Sequence, residues 1–350
     1  MPAWLPSSAM GTFCPQLRDG CYIDRTGEVY ACCTMRSVSY GNIHEASLRE
    51  LVNRPPVRQA RRESLSGTLS CYTLCNLFDK TAKSSSAELA TVVGYAQLRR
   101  LHISFGQACN IHCVMCNHPE VHNRNPIVLG ARVVIDRVEI TPFTTIVLQG
   151  GEPLYVPECL EYMSYLEATS KPYTILTNGL LIDDAMAQRL ARHAACVKVS
   201  LNGASAIGHE AVNRGSSFRR VVGNVVRLHE ARSQLRTEMI LMGHMTITTE
   251  NIVEVPQFIR SLNWLGFDRV DFGYVKETVP LYLAANPGFR DDLCREVMNA
   301  IAEVGPSRVD PLRLAMIGLF DEPASSQPLG QLRSAPPPVV GTRSFWSGPI

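Results

Sequence analysis

The chain has 350 residues, 45% of them hydrophobic, enough for one large core and a smaller second unit. Lys+Arg 34 against Asp+Glu 32 leaves a net charge of +2, which excludes the strongly basic or acidic surface that a nucleic acid or a membrane face selects. With no charged segment leading into an apolar stretch at the N-terminus, and no run approaching about 18 apolar residues, a cytoplasmic, reducing setting is expected.

Residues 1–12, with Pro2, Pro6 and Ser7-Ser8, form an irregular lead-in. A cysteine-bearing stretch follows: Cys14, a hairpin from Cys21 to Cys33 turning at Thr26-Gly27, the turn Gly41-Asn42, a helix over 47–53, and Cys71-x3-Cys75. Lys80, Lys83 and Ser84 to Ser86 mark a connector over 79–97. From Leu101 short apolar strands alternate with amphipathic helices. The strands are expected over 101–105, 145–148, 173–176, 197–201, 238–246 and 269–274. The helices between them fall over 133–138, 157–169, 183–193, 218–235 and 251–265. This alternation predicts an α/β fold: a partial (β/α)6 TIM-type barrel over 98–276, preceded over 1–78 by a small cysteine-rich module. A loop over 278–286 and helices over 287–304 and 312–320 make an extension, 277–321, and the aperiodic tail 322–350 is expected to be disordered.

Nine of the 12 cysteines fall before residue 117, and such clustering in a chain this long points to metal and not to a disulfide scaffold. Cys109, Cys113 and Cys116, spaced Cys-x3-Cys-x2-Cys, close the first barrel strand. Three thiolates so close together can wrap one corner of a [4Fe-4S] cubane and leave the fourth iron open to chelate a substrate or cofactor. Zinc is usually held by Cys-x2-4-Cys pairs with two further ligands, which this triplet does not supply. The other polar motifs also fall where a βα barrel builds its active site, at the C-terminal ends of strands. Gln149-Gly150-Gly151-Glu152-Pro153 follows strand two, Thr177-Asn178-Gly179 follows strand three, and Ser200 to Asn202 closes strand four. A Gly-Gly pair lets the backbone approach a ligand closely, and the carboxylate after it can accept from an ammonium.

In these motifs the chain resembles the radical S-adenosylmethionine (SAM) enzymes, whose signature is the cysteine triplet. The resemblance implies the partial barrel and a SAM-binding cluster on Cys109, Cys113 and Cys116. It implies that Gly150, Gly151 and Glu152 contact the amino group of SAM, and that Asn178 joins the cofactor contacts. Ser200 and Asn202 would reach its ribose or carboxylate, and Arg214 would fork onto that carboxylate. Met115 stands where relatives often place an aromatic residue beside the adenine, and its thioether is polarizable enough to pack there. The N-terminal stretch is similar to the SPASM domain, which holds auxiliary iron-sulfur clusters, with Gly27-x4-Cys32, Gly41-Asn42 and Cys71-x3-Cys75 as matching points. By that likeness Cys14, Cys32, Cys71 and Cys75 saturate one second [4Fe-4S] cluster, a structural zinc being the alternative occupant. In relatives this domain usually follows the barrel and often carries seven cysteines, whereas here it comes first and fills one cluster.

The implied reaction uses an external electron donor such as flavodoxin or ferredoxin. One electron cleaves SAM to a 5′-deoxyadenosyl radical, which takes hydrogen from a substrate carbon. Loss of an electron from the substrate radical to the auxiliary cluster gives oxidation or a crosslink; hydrogen from a thiol gives epimerisation. Cys21, Cys159 and Cys294 are the candidate hydrogen donors, Cys159 because it opens a helix whose N-terminus lowers a thiol pKa. The 13 residues before Cys14 are too few for a leader-binding domain, so the expected substrate is a sugar-type hydroxylated natural product, epimerised at carbon. Dehydrogenation of such a substrate and peptide maturation are the alternatives. A non-catalytic iron-sulfur carrier would leave the strand-end motifs unexplained.

Overall fold

The computed structural model describes residues 14–33, 36, 38–71, 91–117 and 126–320. The lead-in, Cys75, most of the connector and the tail 322–350 lie outside them. The chain opens with α1 (Pro15–Asp19), β1 (Gly20–Ile23), β2 (Glu28–Tyr30) and β3 (Ser39–Asn42). Two helices follow, α2 (Leu48–Leu51) and α3 (Pro55–Leu65), the second starting on a Pro-Pro pair suited to a first helical turn. Then come β4 (Arg100–Ser104), the two-residue β5 (His112–Cys113), α4 (Ala131–Arg137), β6 (Thr145–Gln149) and α5 (Pro157–Ala168). The alternation continues through β7 (Tyr173–Thr177), α6 (Asp184–His193), β8 (Ala194–Ser200), α7 (Ala206–Val212) and the short β9 (Asn213–Arg214). It ends with α8 (Phe218–Leu235), β10 (Ile240–Ile247), α9 (Val255–Leu265), β11 (Arg269–Tyr274), α10 (Val279–Ala285), α11 (Pro287–Val304) and α12 (Leu312–Met316).

All six strands expected after Leu101 are present, so this is an α/β protein of βα units behind a cysteine-rich N-terminal segment. Local sequence chemistry starts the helices where they start. Asp183 Oδ1 accepts from Met186 N (2.8 Å), and Ser205 Oγ accepts from Gly208 N (3.1 Å), satisfying first-turn amides. The loop expected over 278–286 is instead α10: Pro280 suits a first turn, and Val279 and Leu283, four residues apart, are both buried. No helix among the described residues is long and apolar enough to cross a membrane.

The chain divides into two compact units, one within residues 1–107 and 124–169, the other within 108–123 and 170–343. In the first the strand order is β6-β4-β1-β2-β3. β4 runs parallel to β6, from Arg100↔Thr145 to Ser104↔Gln149, and parallel to β1, from Gly20↔Arg100 to Ile23↔Ile103. The expected hairpin is present as β1 and β2, antiparallel with Tyr22 opposite Tyr30, so the cysteine-bearing segment extends the same sheet as the first βα strands.

In the second unit four parallel strands run in the order β11-β10-β8-β7. One face of this sheet packs on helices: α9 buries Phe258, Ile259, Leu262 and Leu265, and the Phe258 ring meets Phe272 of β11 edge-on at 5.8 Å. Each such side chain contributes about 1.5–3 kcal/mol on full burial. Alternation along the strands puts Lys198, His244 and Asp271 on the opposite face.

Candidate functional site

In the second unit the cysteine triplet lies on a short loop clipped down by backbone pairing. β5 lies antiparallel to β9, with His112 opposite Arg214 and Cys113 opposite Asn213, and Val114 N donates to Val212 O (2.9 Å). Cys116 N donates to Cys113 O (3.1 Å), turning the loop between two thiols. Cys109 and Cys113 are half-buried and Cys116 is exposed. Asn178, expected among the cofactor contacts, reaches the triplet itself: Nδ2 donates to Cys109 Sγ (3.8 Å) and to Asn110 Oδ1 (2.7 Å), while Leu180 N holds its Oδ1 (3.0 Å). An amide N–H on a ligand sulfur orients the thiolate and stabilises its charge.

Asn202 is 2% exposed and acts as a brace. Its Nδ2 donates to Asn213 Oδ1 (2.8 Å) and its Oδ1 accepts from Thr246 N (2.7 Å), tying β10 to the segment that pairs with the cysteine loop. His209 completes the brace, with Nε2 on Ser216 Oγ (2.8 Å) and Nδ1 near Asn213 Nδ2 (3.4 Å). Burial pushes the His209 imidazole down to about 4, so it is neutral at pH 7. Arg214 is exposed, and Met115 and Ser200 are half-buried.

In the first unit Gly150, Gly151 and Glu152 follow β6. Gly150 has φ +138°, and a Cβ there would lie 2.4 Å from Gly106 O and 2.8 Å from Ser104 Oγ, so only glycine fits. Gly151 N donates to Gly106 O (3.0 Å), which anchors the turn to the end of β4. Glu152 is 1% exposed and its Oε1 accepts from Leu154 N (3.1 Å), so one carboxylate oxygen is fixed by the backbone.

Three expected auxiliary ligands are described: Cys14 and Cys71 are buried and Cys32 is half-buried, while Cys75 lies outside the described residues. Cys14 N donates to Ser64 Oγ (2.8 Å), fixing its loop on α3. Among the described residues no three His, Cys, Asp or Glu side chains converge on a point that would hold a single metal ion. A cubane asks for a different arrangement, since each thiolate takes its own iron. Three nearby thiols, one under an amide N–H, fit that demand.

The expected hydrogen donors are brought to less accessible places than anticipated. Cys21 and Cys159 are each 1% exposed, and burial pushes the Cys21 thiol up to about 12. Cys159, expected at the start of α5 as an activated thiol, is buried with Tyr162 and Met163 on the inner face of that helix. Cys294 is half-buried on α11.

Sequence reasoning missed a buried charged network in the second unit. Lys198 Nζ lies 2.5 Å from Asp271 Oδ2, and Asp271 Oδ1 lies 2.7 Å from His244 Nδ1, all three residues under 8% exposed. Burial alone raises the Asp271 carboxyl, but Lys198 and His244 more than offset it and hold it at about 2. Burial and Lys198 push His244 down. The available signal was a polar residue inside an apolar strand, as in Val197-Lys198-Val199 and Val270-Asp271-Phe272.

Parallel βα strands, a three-cysteine loop at a strand end and a separate cysteine-rich segment define an iron-sulfur protein of α/β class. Two family models match: the Radical SAM superfamily over residues 103–262, and the SPASM iron-sulfur cluster-binding domain over 14–76, together more than half of the chain. The chain therefore carries a radical SAM domain and, on its N-terminal side, a SPASM domain, and its cofactors are SAM and [4Fe-4S] clusters, including an auxiliary one.

Among curated proteins it is similar to mycofactocin maturase MftC of Mycobacterium ulcerans, 34% identical over 119 residues, which covers 33% of this chain and 32% of the relative. It is also similar to the maturase of the same name from Mycobacterium tuberculosis, 29% identical over 156 residues, 43% of this chain and 38% of the relative. The chain thus matches about a third of the length of these relatives. Among solved structures, Streptococcus suis SuiB bound to precursor peptide SuiA aligns at 16% identity with a TM-score of 0.44, over 81% of this chain and 68% of that one.

Proposed function

We propose that this radical SAM enzyme matures a peptide by oxidation at carbon. The observation that carries the reading is the similarity to two mycofactocin maturases. It favours the peptide alternative over the sugar-type substrate expected from the sequence. Burial of Cys21 and Cys159, two of the three candidate donors, weighs against epimerisation, which needs a thiol that reaches the substrate; Cys294 is half-buried.

When bound, the cluster and SAM supply a 5′-deoxyadenosyl radical that takes a hydrogen atom from the substrate. The chain's residues hold and orient. Cys109, Cys113 and Cys116 are the proposed cluster ligands, with Asn178 donating to Cys109 Sγ. The backbone of Gly150 and Gly151 lets the amino end of SAM approach, with the Glu152 carboxylate as acceptor. Arg214 is the proposed partner of the SAM carboxylate, Ser200 reaches the ribose or carboxylate, and Met115 packs by the adenine. Asn202, committed to Asn213 and Thr246, holds the Arg214 segment in register.

The test is anaerobic reconstitution followed by dithionite and SAM. The wild type should release 5′-deoxyadenosine and methionine, and Cys113→Ala should release none. Parallel incubations with a peptide pool and an oligosaccharide pool from the source cells, read by mass spectrometry, then separate the substrate classes. A peptide lighter by two hydrogens supports the reading; a saccharide product, or cleavage persisting in Cys113→Ala, refutes it.

A further inference from the structure

Gln107 lies at the end of the segment Phe105-Gly106-Gln107 that leaves β4, two residues before Cys109. It is 5% exposed, and its buried amide oxygen, Oε1, accepts from no donor among the described residues. A buried carbonyl without a donor is uncommon, because it has given up its bonds to water and gained none in return. An apolar side chain of similar size would fill the same space without that cost.

The backbone leading into Gln107 is pinned at two successive carbonyls. Phe105 O accepts from Leu129 N (2.8 Å), and Gly106 O accepts from Gly151 N (3.0 Å). The second bond seats the Gly150-Gly151 turn on the peptide that joins Gly106 to Gln107. A Cβ on Gly150 would lie 2.4 Å from Gly106 O and 3.6 Å from Gly106 C, the carbon bonded to Gln107 N. All of these residues belong to the first unit, as does Glu152, whose Oε1 is already engaged by Leu154 N. A ligand end admitted by the Gly-Gly turn therefore comes within a side chain's length of an amide oxygen that has no donor of its own.

We infer that Gln107 Oε1 is an acceptor for the amino group of SAM, a further residue that holds the amino-acid end of the cofactor. The inference rests on the placement of that amino group at Gly150, Gly151 and Glu152 given under the proposed function. An amide oxygen accepts an N–H and carries no charge, so it adds an acceptor without adding a second anion to a site that must also admit the cofactor's own carboxylate. The twice-pinned backbone holds this acceptor in place before the ligand arrives, which lowers the ordering cost of binding.

The test measures binding without reductant, so that SAM is held and not cleaved. The full chain is reconstituted anaerobically, iron is counted in each sample, and affinity is read by equilibrium dialysis. Gln107→Leu, similar in size but without the acceptor, should bind SAM about tenfold more weakly or worse, with its iron content unchanged. An analogue of SAM with hydrogen in place of the amino group should lose little or nothing on the same substitution, because the two changes remove the two ends of one interaction. Thermal unfolding of the reconstituted protein before SAM is added gives a readout free of ligand: Gln107→Leu should be at least as stable as wild type, since it removes an unpaired buried carbonyl. Gln107→Met keeps the unbranched chain and takes the place of Gln107→Leu if the latter does not fold. Equal SAM affinity in the wild type and the variant overturns the inference, and so does an equal loss for SAM and for the deaminated analogue. A variant less stable than wild type without SAM would mark Gln107 as a structural residue and overturns it too. Wild-type protein that loads iron and binds no SAM overturns the inference together with the cofactor placement on which it rests.

Discussion

Asp271→Asn isolates the buried network of the second unit. The substitution keeps shape and removes one negative charge from a residue 7% exposed, leaving the ammonium of Lys198, 3% exposed, without its carboxylate. Breaking a buried ion pair from one side costs about 3–5 kcal/mol. For a cooperative unit of this size that corresponds to a fall in Tm of roughly 6–20 °C. Thermal and urea unfolding at pH 7 would measure both. The pH dependence gives a second signature. The folded pKa of about 2 lies below the unfolded value, so the stabilisation by Asp271 is complete above the unfolded value and is lost as pH falls through about 2. Asparagine does not titrate, and this acid limb should vanish. Lys198→Met combined with Asp271→Leu removes both charges and should restore much of the loss, since a buried pair is often replaceable by apolar side chains. The reasoning is refuted if Asp271→Asn stays within about 1 kcal/mol of wild type, or if the apolar pair is less stable than the single variant.

Gly150→Ala forces a Cβ to within 2.4 Å of Gly106 O at φ +138°, a strain of about 1–3 kcal/mol before any ligand contact is considered. Equilibrium dialysis of the reconstituted protein should show SAM binding lost while the iron content is retained. His209→Gln should flatten the acid side of the stability curve. The folded His209 pKa of about 4 is lower than its unfolded value, so the wild type loses stability as pH falls from about 6.5 toward 4, by roughly 3 kcal/mol. A stability curve in this range unchanged by the substitution would show that His209 is not held neutral in the fold.

The division between what could be read in advance and what could not follows the range of the interactions. Cys109, Cys113 and Cys116 sit within eight residues, so their spacing along the chain already constrains the chemistry, and the loop that carries them needed only to be pinned. Strand and helix periods are equally local, which is why the six strands and most of the helices between them were legible, whereas α10, with a single buried pair at Val279 and Leu283, gave too short a pattern. Gly150-Gly151-Glu152 was identifiable from composition and position, and its backbone then supplied the reason: a φ that only glycine tolerates.

Contacts between distant residues were decided by register and packing. Lys198 meets Asp271 across 73 positions because β8, β10 and β11 lie parallel with Ser200, His244 and Asp271 at one level, and no local pattern encodes that alignment. The parallel pairing of β1 with β4 likewise joins the cysteine-bearing N-terminal segment to a βα sheet. Cys159 lay where a helix start suggested an accessible thiol, yet side-chain direction around α5 buries it; likewise α3 turns Arg61 inward while Arg58 and Arg62 on the same helix stay exposed. Chain spacing thus pointed to the proposed reactive centre, because its candidate ligands are neighbours in sequence, while burial and charge compensation depended on which face of each element the fold closed over.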